Sequence, residues 1–213
     1  MKSNFDIIWL DSIDSTNDEV KRRISDLDNL SVLSALSQTK GRGQGDHIWI
    51  SEPGSNLLFS IVLKYSSSAD SVQSPLLSVQ AHDQIVISQI TALSVVDLLA
   101  AHEIEAKIKW PNDIYVGDKK ICGILIEHSV RGNWLTSSII GIGLNVNQRN
   151  FDVNLPNPIS MVLLDTDSEN DYNTRELLDE FMGIFTDYIE RFCNITGGYN
   201  RLETLYKAQL LTK

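Results

Sequence analysis

The sequence predicts an α+β domain: a mixed, mostly antiparallel sheet with flanking helices. Three observations carry this expectation. Strand-like segments come in runs and do not alternate one by one with helices, which argues against a doubly wound parallel sheet. Helical patterns are few, with a short charged one near residue 20, a long apolar one over 84–101 and an amphipathic one over 174–192. A chain of 213 residues can bury one substantial core without staples, so 1–213 reads as a single domain with 174–213 as its C-terminal helical part.

Residues 5–10 form the first expected strand, a short apolar run. Ser15, Thr16 and Asn17 then supply the hydroxyls and amide that favour a helix start, ahead of a charged helix over roughly 17–27. Val32 to Gln38 and Asn56 to Lys64 alternate apolar with small polar residues and read as strands flanking a glycine-rich loop. Ser66 to Ser74 is a polar, serine-rich connection, and Gln84 to Ala101 has the sustained apolar periodicity of a buried helix. Four strands follow at 106–109, 114–116, 120–129 and 135–145, the last pair turning through Arg131-Gly132-Asn133 as an antiparallel hairpin. Phe151 to Pro158 is a loop, and Thr174 is the expected cap of the amphipathic helix. Gly197-Gly198 breaks that helix before a last short one over about 198–208. No internal repeat or low-complexity tract is visible.

Bulk properties exclude several functions. A formal net charge of −10 does not suit nucleic-acid binding, which needs a concentrated lysine and arginine surface. Cys122 and Cys193 have no metal-ligand spacing and are too few for a disulfide framework, so both are expected to be reduced. Met1 to Leu10 carries Asp6 within a short apolar run and fits neither a signal peptide nor a membrane span. The expected address is the cytoplasm, with no membrane partner.

The run Gly41-Arg42-Gly43-Gln44-Gly45-Asp46-His47-Ile48-Trp49 sets three glycines around one arginine. Glycine lets backbone N–H groups approach an anion, and Arg42 adds a fixed fork of donors. On composition alone the same run reads equally as a mobile surface loop. Lys119 and Lys120 are adjacent in an expected strand, so alternation sends them to opposite faces and only one enters any pocket. Gly123, Gly141 and Gly143 lie in apolar strands, where a missing side chain marks close approach by a ligand or by neighbouring structure. Lys109-Trp110-Pro111-Asn112-Asp113 joins a rigid proline to an amide and a carboxylate: a nucleotide and metal site, or an ordinary Pro-Asn-Asp turn. Trp110 is expected in the core. No His or Cys constellation suggests zinc or a nucleophilic enzyme intermediate.

Taken in order, Asp14-Ser15-Thr16-Asn17, Gln38, the Gly-Arg-Gly loop, Lys109-Trp110-Pro111-Asn112-Asp113, Lys120-Ile121-Cys122-Gly123-Ile124-Leu125 and Gly141-Ile142-Gly143-Leu144-Asn145 resemble the catalytic domain of biotin protein ligases over about residues 5–165. The resemblance implies a class II synthetase-like fold. It also implies an enzyme that activates biotin with ATP and Mg²⁺ to biotinyl-5′-AMP, then transfers biotin to a lysine on the carrier domain of acetyl-CoA carboxylase or a similar carboxylase. Arg42 and Lys120 would be the catalytic cations. Ser15, Thr16, Asn17 and Gln38 would face the biotin ring, while Gly41, Arg42, Gly43 and Gln44 would embrace the ligand. Trp49 would cover its tail, and Lys120, Gly123, Gly141 and Gly143 would line the groove. ATP would meet Arg42, Lys109, Asn112, Lys120 and Asn145, and Asp113 would hold the metal. A degenerate or truncated ligase that only binds biotin or biotinyl-AMP, or a lipoate or octanoyl transferase of related fold, is the alternative.

The chain departs from the pattern in two places. Gln44 to His47 stand where further arginines are usual, and Asp46 is expected to point away or to pair with Lys40. The chain stops at Lys213, about where a small C-terminal β-barrel would begin, so that barrel is expected to be absent; with no basic segment ahead of residue 15, so are an N-terminal DNA-binding domain and repressor activity. Dimerisation through sheet pairing is implied by the resemblance, with the strands over 120–145 as the candidate edge.

Overall fold

The structure is a computed structural model and describes residues 5–65, 79–165, 170–193 and 198–212. Seven strands form one sheet: β1 (Ile7–Leu10), β2 (Val32–Ala35), β3 (Leu57–Lys64), β4 (Lys107–Lys109), β5 (Asp113–Val116), β6 (Lys119–Arg131) and β7 (Trp134–Leu144), in spatial order β1-β2-β3-β7-β6-β5-β4. Only the β1–β2 pair is parallel. The mixed, mostly antiparallel sheet expected from the sequence is therefore present. Gly132, at φ +62, turns β6 into β7, a backbone conformation that costs glycine little.

Strand alternation divides the sheet into two unlike faces. From β3, Leu57, Phe59, Ile61 and Leu63 point into the large core together with Ile140, Ile142 and Leu144 of β7. Helices α2 (Ile85–Ala101), α4 (Thr174–Cys193) and α5 (Gly198–Ala208) cover that face, α2 packing on both of the others. The rings of Phe59 and Phe181 meet edge to face at 5.3 Å. Helix α2 is apolar on nearly every side because the sheet, α4 and α5 occupy its surroundings. The stretch Ala81–Ala101 is long and apolar enough to cross a membrane, and most of it is buried inside the protein. Among the described residues the one helix on the other face is α1 (Thr16–Arg23), which seals a small cluster of Val20, Leu27, Leu33, Val62 and Ile139. Beyond α1 this second face is left for a pocket. A short α3 (Met161–Leu164) follows β7.

Several local expectations need correction. Trp110 is 72% exposed, not core. Ile108 and Ile114 on either side of its loop are fully buried and fill the interior. The loop itself is fixed by the Tyr206 hydroxyl, which donates to the Pro111 carbonyl at 2.7 Å, and by Asn112. Thr174 is not the cap of α4; Asn173 is, its Oδ1 accepting the Arg175 N–H at 3.0 Å while its carbonyl accepts from Leu177. Ser15 occupies the cap position of α1 without a capping side-chain bond, and the helix ends at Arg23, short of 27. Strand β7 is paired on both sides, whereas β6 meets β5 only as far as Cys122, so from Gly123 onward no strand lies on its outer side among the described residues. The serine-rich connection 66–74 lies outside the described residues, and so does Gly197.

Candidate functional site

The pocket opens on the α1 face of the sheet, with a volume of about 220 Å³. Its walls are the N-terminus of α1 with Ser15, Thr16 and Asn17, the segment from Gln38 through Trp49, and the start of β6 with Lys120 and Gly123. Gly141 and Gly143 of β7 complete it, and Asp113 stands at its edge. Thus Ser15, Thr16, Asn17, Gln38, Arg42, Gly43, Gln44, Trp49, Asp113, Lys120, Gly123, Gly141 and Gly143 are brought together from five separate stretches of chain.

Four expected residues do not line it: Gly41, which is buried under Trp49, and Lys109, Asn112 and Asn145. Lys109 is exposed and lies over the Tyr115 ring at 4.7 Å. The buried Asn112 donates from Nδ2 to the Ile124 carbonyl, tying the β4–β5 loop to β6. Asn145 is also buried, its Nδ2 donating to the Ile159 carbonyl at 3.0 Å.

The glycine-rich segment is a hairpin, not an open anion-wrapping loop. The Gly43 N–H bonds the His47 carbonyl at 2.8 Å and the Trp49 N–H bonds the Gly41 carbonyl at 3.0 Å, so those donors are spent internally. Gly45, at φ +62, stands at the tip. Gly41 is needed for space, since a Cβ there would lie 2.3 Å from the Trp49 carbonyl oxygen. Asp46 is exposed, and no ion pair to Lys40 forms among the described residues.

The groove glycines seat side chains. A Cβ on Gly143 would sit 2.5 Å from the Trp49 ring, one on Gly123 would sit 2.8 Å from the same ring, and one on Gly141 would meet the Asn17 amide oxygen at 2.3 Å. Trp49 therefore lies on the bared backbone of β6 and β7 as a wall of the pocket. Its Nε1 is buried with no hydrogen-bond partner, leaving a donor without a protein acceptor.

Lys120 reaches the pocket through an irregularity in the sheet. Ile114 pairs with Cys122 but Tyr115 pairs with Lys120, so Ile121 is an extra residue in β6. Such a bulge reverses the alternation beyond it. Lys120 consequently shares the face of Gly123, while Lys119 is exposed. The Lys120 Nζ pairs with Asp113 Oδ1 at 2.7 Å and stands 5.7 Å from the Trp49 ring centroid.

Arg42 is drawn to the acids of α1 and β6. Its guanidinium donates to Asp18 at 2.7 Å and to the two Glu127 oxygens at 3.2 and 3.0 Å. Lys21 Nζ at 2.6 Å and Asn17 Nδ2 at 3.0 Å complete the cluster around Glu127. The hydrogen bond that the guanidinium donates to Glu127 raises the Arg42 pKa further, against a smaller opposing effect of burial. Burial by itself would raise the Glu127 carboxyl, but the hydrogen bonds from Lys21, Arg42 and Asn17 outweigh it and leave the pKa below its ordinary value of 4.5. A depressed carboxylate contributes stability that is complete above the unfolded pKa and is lost as pH falls through the folded one. Glu127→Gln should therefore lose stability at neutral pH and show a shallower decline than wild type through the acid range. Thermal melts across that range check this, and parallel curves for the two proteins would contradict it.

Glu127, Asp18 and Ser60 were not anticipated as site residues. Ser60, fully buried in β3, contacts Thr16 Oγ1 at 2.8 Å and Asn17 Oδ1 at 2.6 Å. A signal for one of them was present: Ser60 is a polar residue inside the otherwise apolar run Leu57 to Leu63.

A pocket with a polar amide-and-hydroxyl end, an apolar wall and an ammonium at the far side suits a small acid whose head is polar and whose carboxylate must meet another anion. Comparison with known proteins agrees. Residues 9–145 match the model of the Biotin/lipoate A/B protein ligase family. Biotin--protein ligase 1, chloroplastic, of Arabidopsis thaliana is 32% identical over 206 residues, covering 94% of this chain and 51% of that protein. The Bifunctional ligase/repressor BirA of Escherichia coli is 30% identical over 162 residues, covering 76% of this chain and 47% of its own length. The chain thus spans about half the length of these relatives. A biotin protein ligase from Aquifex aeolicus, solved with biotin and ATP, superposes with a TM-score of 0.76 at 25% identity, covering 97% of this chain and 78% of that one.

Proposed function

This chain belongs to the biotin/lipoate A/B protein ligase family, and we propose that it acts there as an ATP-dependent biotin protein ligase. Biotin and ATP give biotinyl-5′-AMP and pyrophosphate. The ε-amino group of a lysine on a carboxylase carrier domain then attacks the acyl carbon and AMP leaves. The observation that carries this reading is the composition of the pocket: amides and hydroxyls at one end, the Trp49 indole along the side and Lys120 at the other end.

The biotin ring is assigned to Ser15, Thr16, Asn17 and Gln38, whose Oε1 is held by the Thr16 N–H and hydroxyl. The tail lies along Trp49 above Gly123 and Gly143. That leaves the carboxylate beside Lys120, which offsets the repulsion between it and the α-phosphate during adenylation. Arg42 closes over the same region when its guanidinium exchanges Asp18 and Glu127 for phosphate oxygens, a swap between like ligands that keeps its hydrogen bonds. Trp49 also keeps water from the mixed anhydride. Asn112 and Asn145, at the ends of β5 and β7, are assigned to the nucleotide side with Lys109.

Magnesium fits only in part. Asp113 is the one carboxylate lining the pocket among the described residues, and no cluster of three or more His, Cys, Asp or Glu able to hold a metal occurs among them. A magnesium ion would take Asp113 as a protein ligand and draw its remaining oxygens from phosphate and water, supplying charge neutralisation there. The carboxylate is shared with Lys120, so the ammonium and the cation compete for it.

Mass spectrometry of the protein with biotin, Mg-ATP and a biotin carrier domain tests the reading. A biotin adduct on the carrier is expected. Biotinyl-AMP without carrier modification would confine the chain to the first half-reaction, and the absence of both products would overturn the proposal. Lipoate should fail to compete with biotin; effective competition would move the chain to the lipoate branch of the family.

A further inference from the structure

We infer that the buried Ser60 hydroxyl is a positioning residue that sets the donor and acceptor polarity of the pocket's polar end, and hence its selectivity for a ring carbonyl. This rests on the biotin reading above. The argument starts from groups whose hydrogen-bonding sense cannot change. The Leu125 carbonyl and the ionised Glu127 carboxylate can only accept, and both bond Asn17 Nδ2, at 3.3 and 3.0 Å. Asn17 must therefore turn its Oδ1 the other way, toward Ser60 at 2.6 Å. On the opposite side, the Thr16 backbone N–H can only donate, and it bonds Gln38 Oε1 at 2.8 Å. Gln38 must then turn its Nε2 group into the pocket.

Ser60 connects these two ends. It lies at 0% exposure on β3, between Thr16 Oγ1 at 2.8 Å and Asn17 Oδ1 at 2.6 Å. Both atoms act as acceptors toward it, so the single Ser60 proton is held between them. Thr16, with an oxygen that accepts from Ser60, is free to donate its own proton to Gln38 Oε1 at 3.2 Å. That second bond reinforces the Gln38 orientation. Without Ser60, Asn17 Oδ1 loses its donor and Thr16 Oγ1 loses the proton that keeps its own hydroxyl turned toward Gln38, which leaves the Thr16 backbone N–H as the one firm anchor of Gln38 where it had two. The amide then flips at lower cost and offers an acceptor to the ligand.

The consequence is a test by ligand polarity. Biotin presents a ring carbonyl oxygen, an acceptor, to the Gln38 N–H groups. In 2-iminobiotin that oxygen is replaced by an imino nitrogen that carries hydrogen and demands an acceptor. Binding of both ligands to wild type, Ser60→Ala and Ser60→Cys is measured by calorimetry, with thermal melts on each protein and KM and kcat for adenylation. Wild type should favour biotin, and Ser60→Ala should lower the preference about fivefold, the size of one buried hydrogen bond, with most of the adenylation loss in KM for biotin. Ser60→Cys keeps the volume with only a weak donor and should fall between them. An unchanged preference in both folded variants, or an equal loss of both ligands, would overturn the inference. Failure of wild type to bind biotin would instead defeat the proposed function.

Discussion

Lys120→Ala is expected to reduce biotin-dependent pyrophosphate release by about two to three orders of magnitude, the usual cost of removing one preorganised group that stabilises developing charge. The expectation follows from position. Lys120 is the cation that lines the pocket beside Trp49, and its only ion pair among the described residues is with Asp113 at 2.7 Å. The other pocket cation, Arg42, is engaged by Asp18 and Glu127 and must exchange partners before it meets a ligand. Folding should be nearly unaffected, because the Lys120–Asp113 side chains are 28% and 33% exposed and such a pair is worth roughly 0–1 kcal/mol. Lys119→Ala is the matched control, since that side chain is in solvent. Pyrophosphate release near the wild-type rate from a folded Lys120→Ala protein would remove Lys120 from the chemistry. An equal loss from Lys119→Ala would show that the bulge assigns the wrong lysine.

Gly143→Ala should weaken biotin binding by about ten- to a hundredfold, corresponding to the 1–3 kcal/mol typical of an overpacked site. The added methyl would start 2.5 Å from the Trp49 ring, so the indole must leave the face of β7. Trp49 cannot retreat toward β6, because Gly123 holds the same ring against its own backbone, where a Cβ would be 2.8 Å away. A double-variant cycle separates this displacement from direct loss of a ligand contact. If the glycine matters because it seats Trp49, then Gly143→Ala added to Trp49→Ala should cost little more than Trp49→Ala alone. Additive losses, measured as biotin affinity by calorimetry, would mean that Gly143 meets the ligand itself.

Gly141 extends the same logic with a different partner. Its missing side chain leaves room for the Asn17 amide, which is fixed by Leu125, Glu127 and Ser60. Two glycines in one strand thus serve two sides of the pocket, the wall and the polar end. Their spacing of two residues places both on the α1 face, as strand geometry requires.

Much of this molecule was legible in its sequence because the relevant signals are local. Short, nearly continuous apolar runs mark β2 and β3, sustained apolar periodicity marks α2, and the Arg131-Gly132-Asn133 turn marks the β6–β7 hairpin. Runs of strands between few helices already implied the mixed sheet. The ordered motifs likewise picked out the residues that converge on the pocket from Ser15 to Gly143. A residue type in a motif declares which chemistry it is able to do.

The tertiary structure decided what depends on distant partners. Strict alternation counted from Gly123 would put Lys119 in the pocket and Lys120 outside; the extra residue at Ile121 reverses them, and that bulge arises from how β6 meets β5. Trp110 is apolar enough for the core, yet Ile108 and Ile114 already fill it, and the Tyr206 anchor on Pro111 holds its loop at the surface. The groove glycines needed Trp49 and Asn17, which lie about a hundred residues away along the chain, before their role as seats was visible. Arg42 found Glu127 and Asp18 for the same reason. Sequence pattern specifies which face a side chain takes and what it is able to donate or accept; only the folded chain sets who stands opposite, because close packing and hydrogen-bond satisfaction are settled across the sheet and not along the strand.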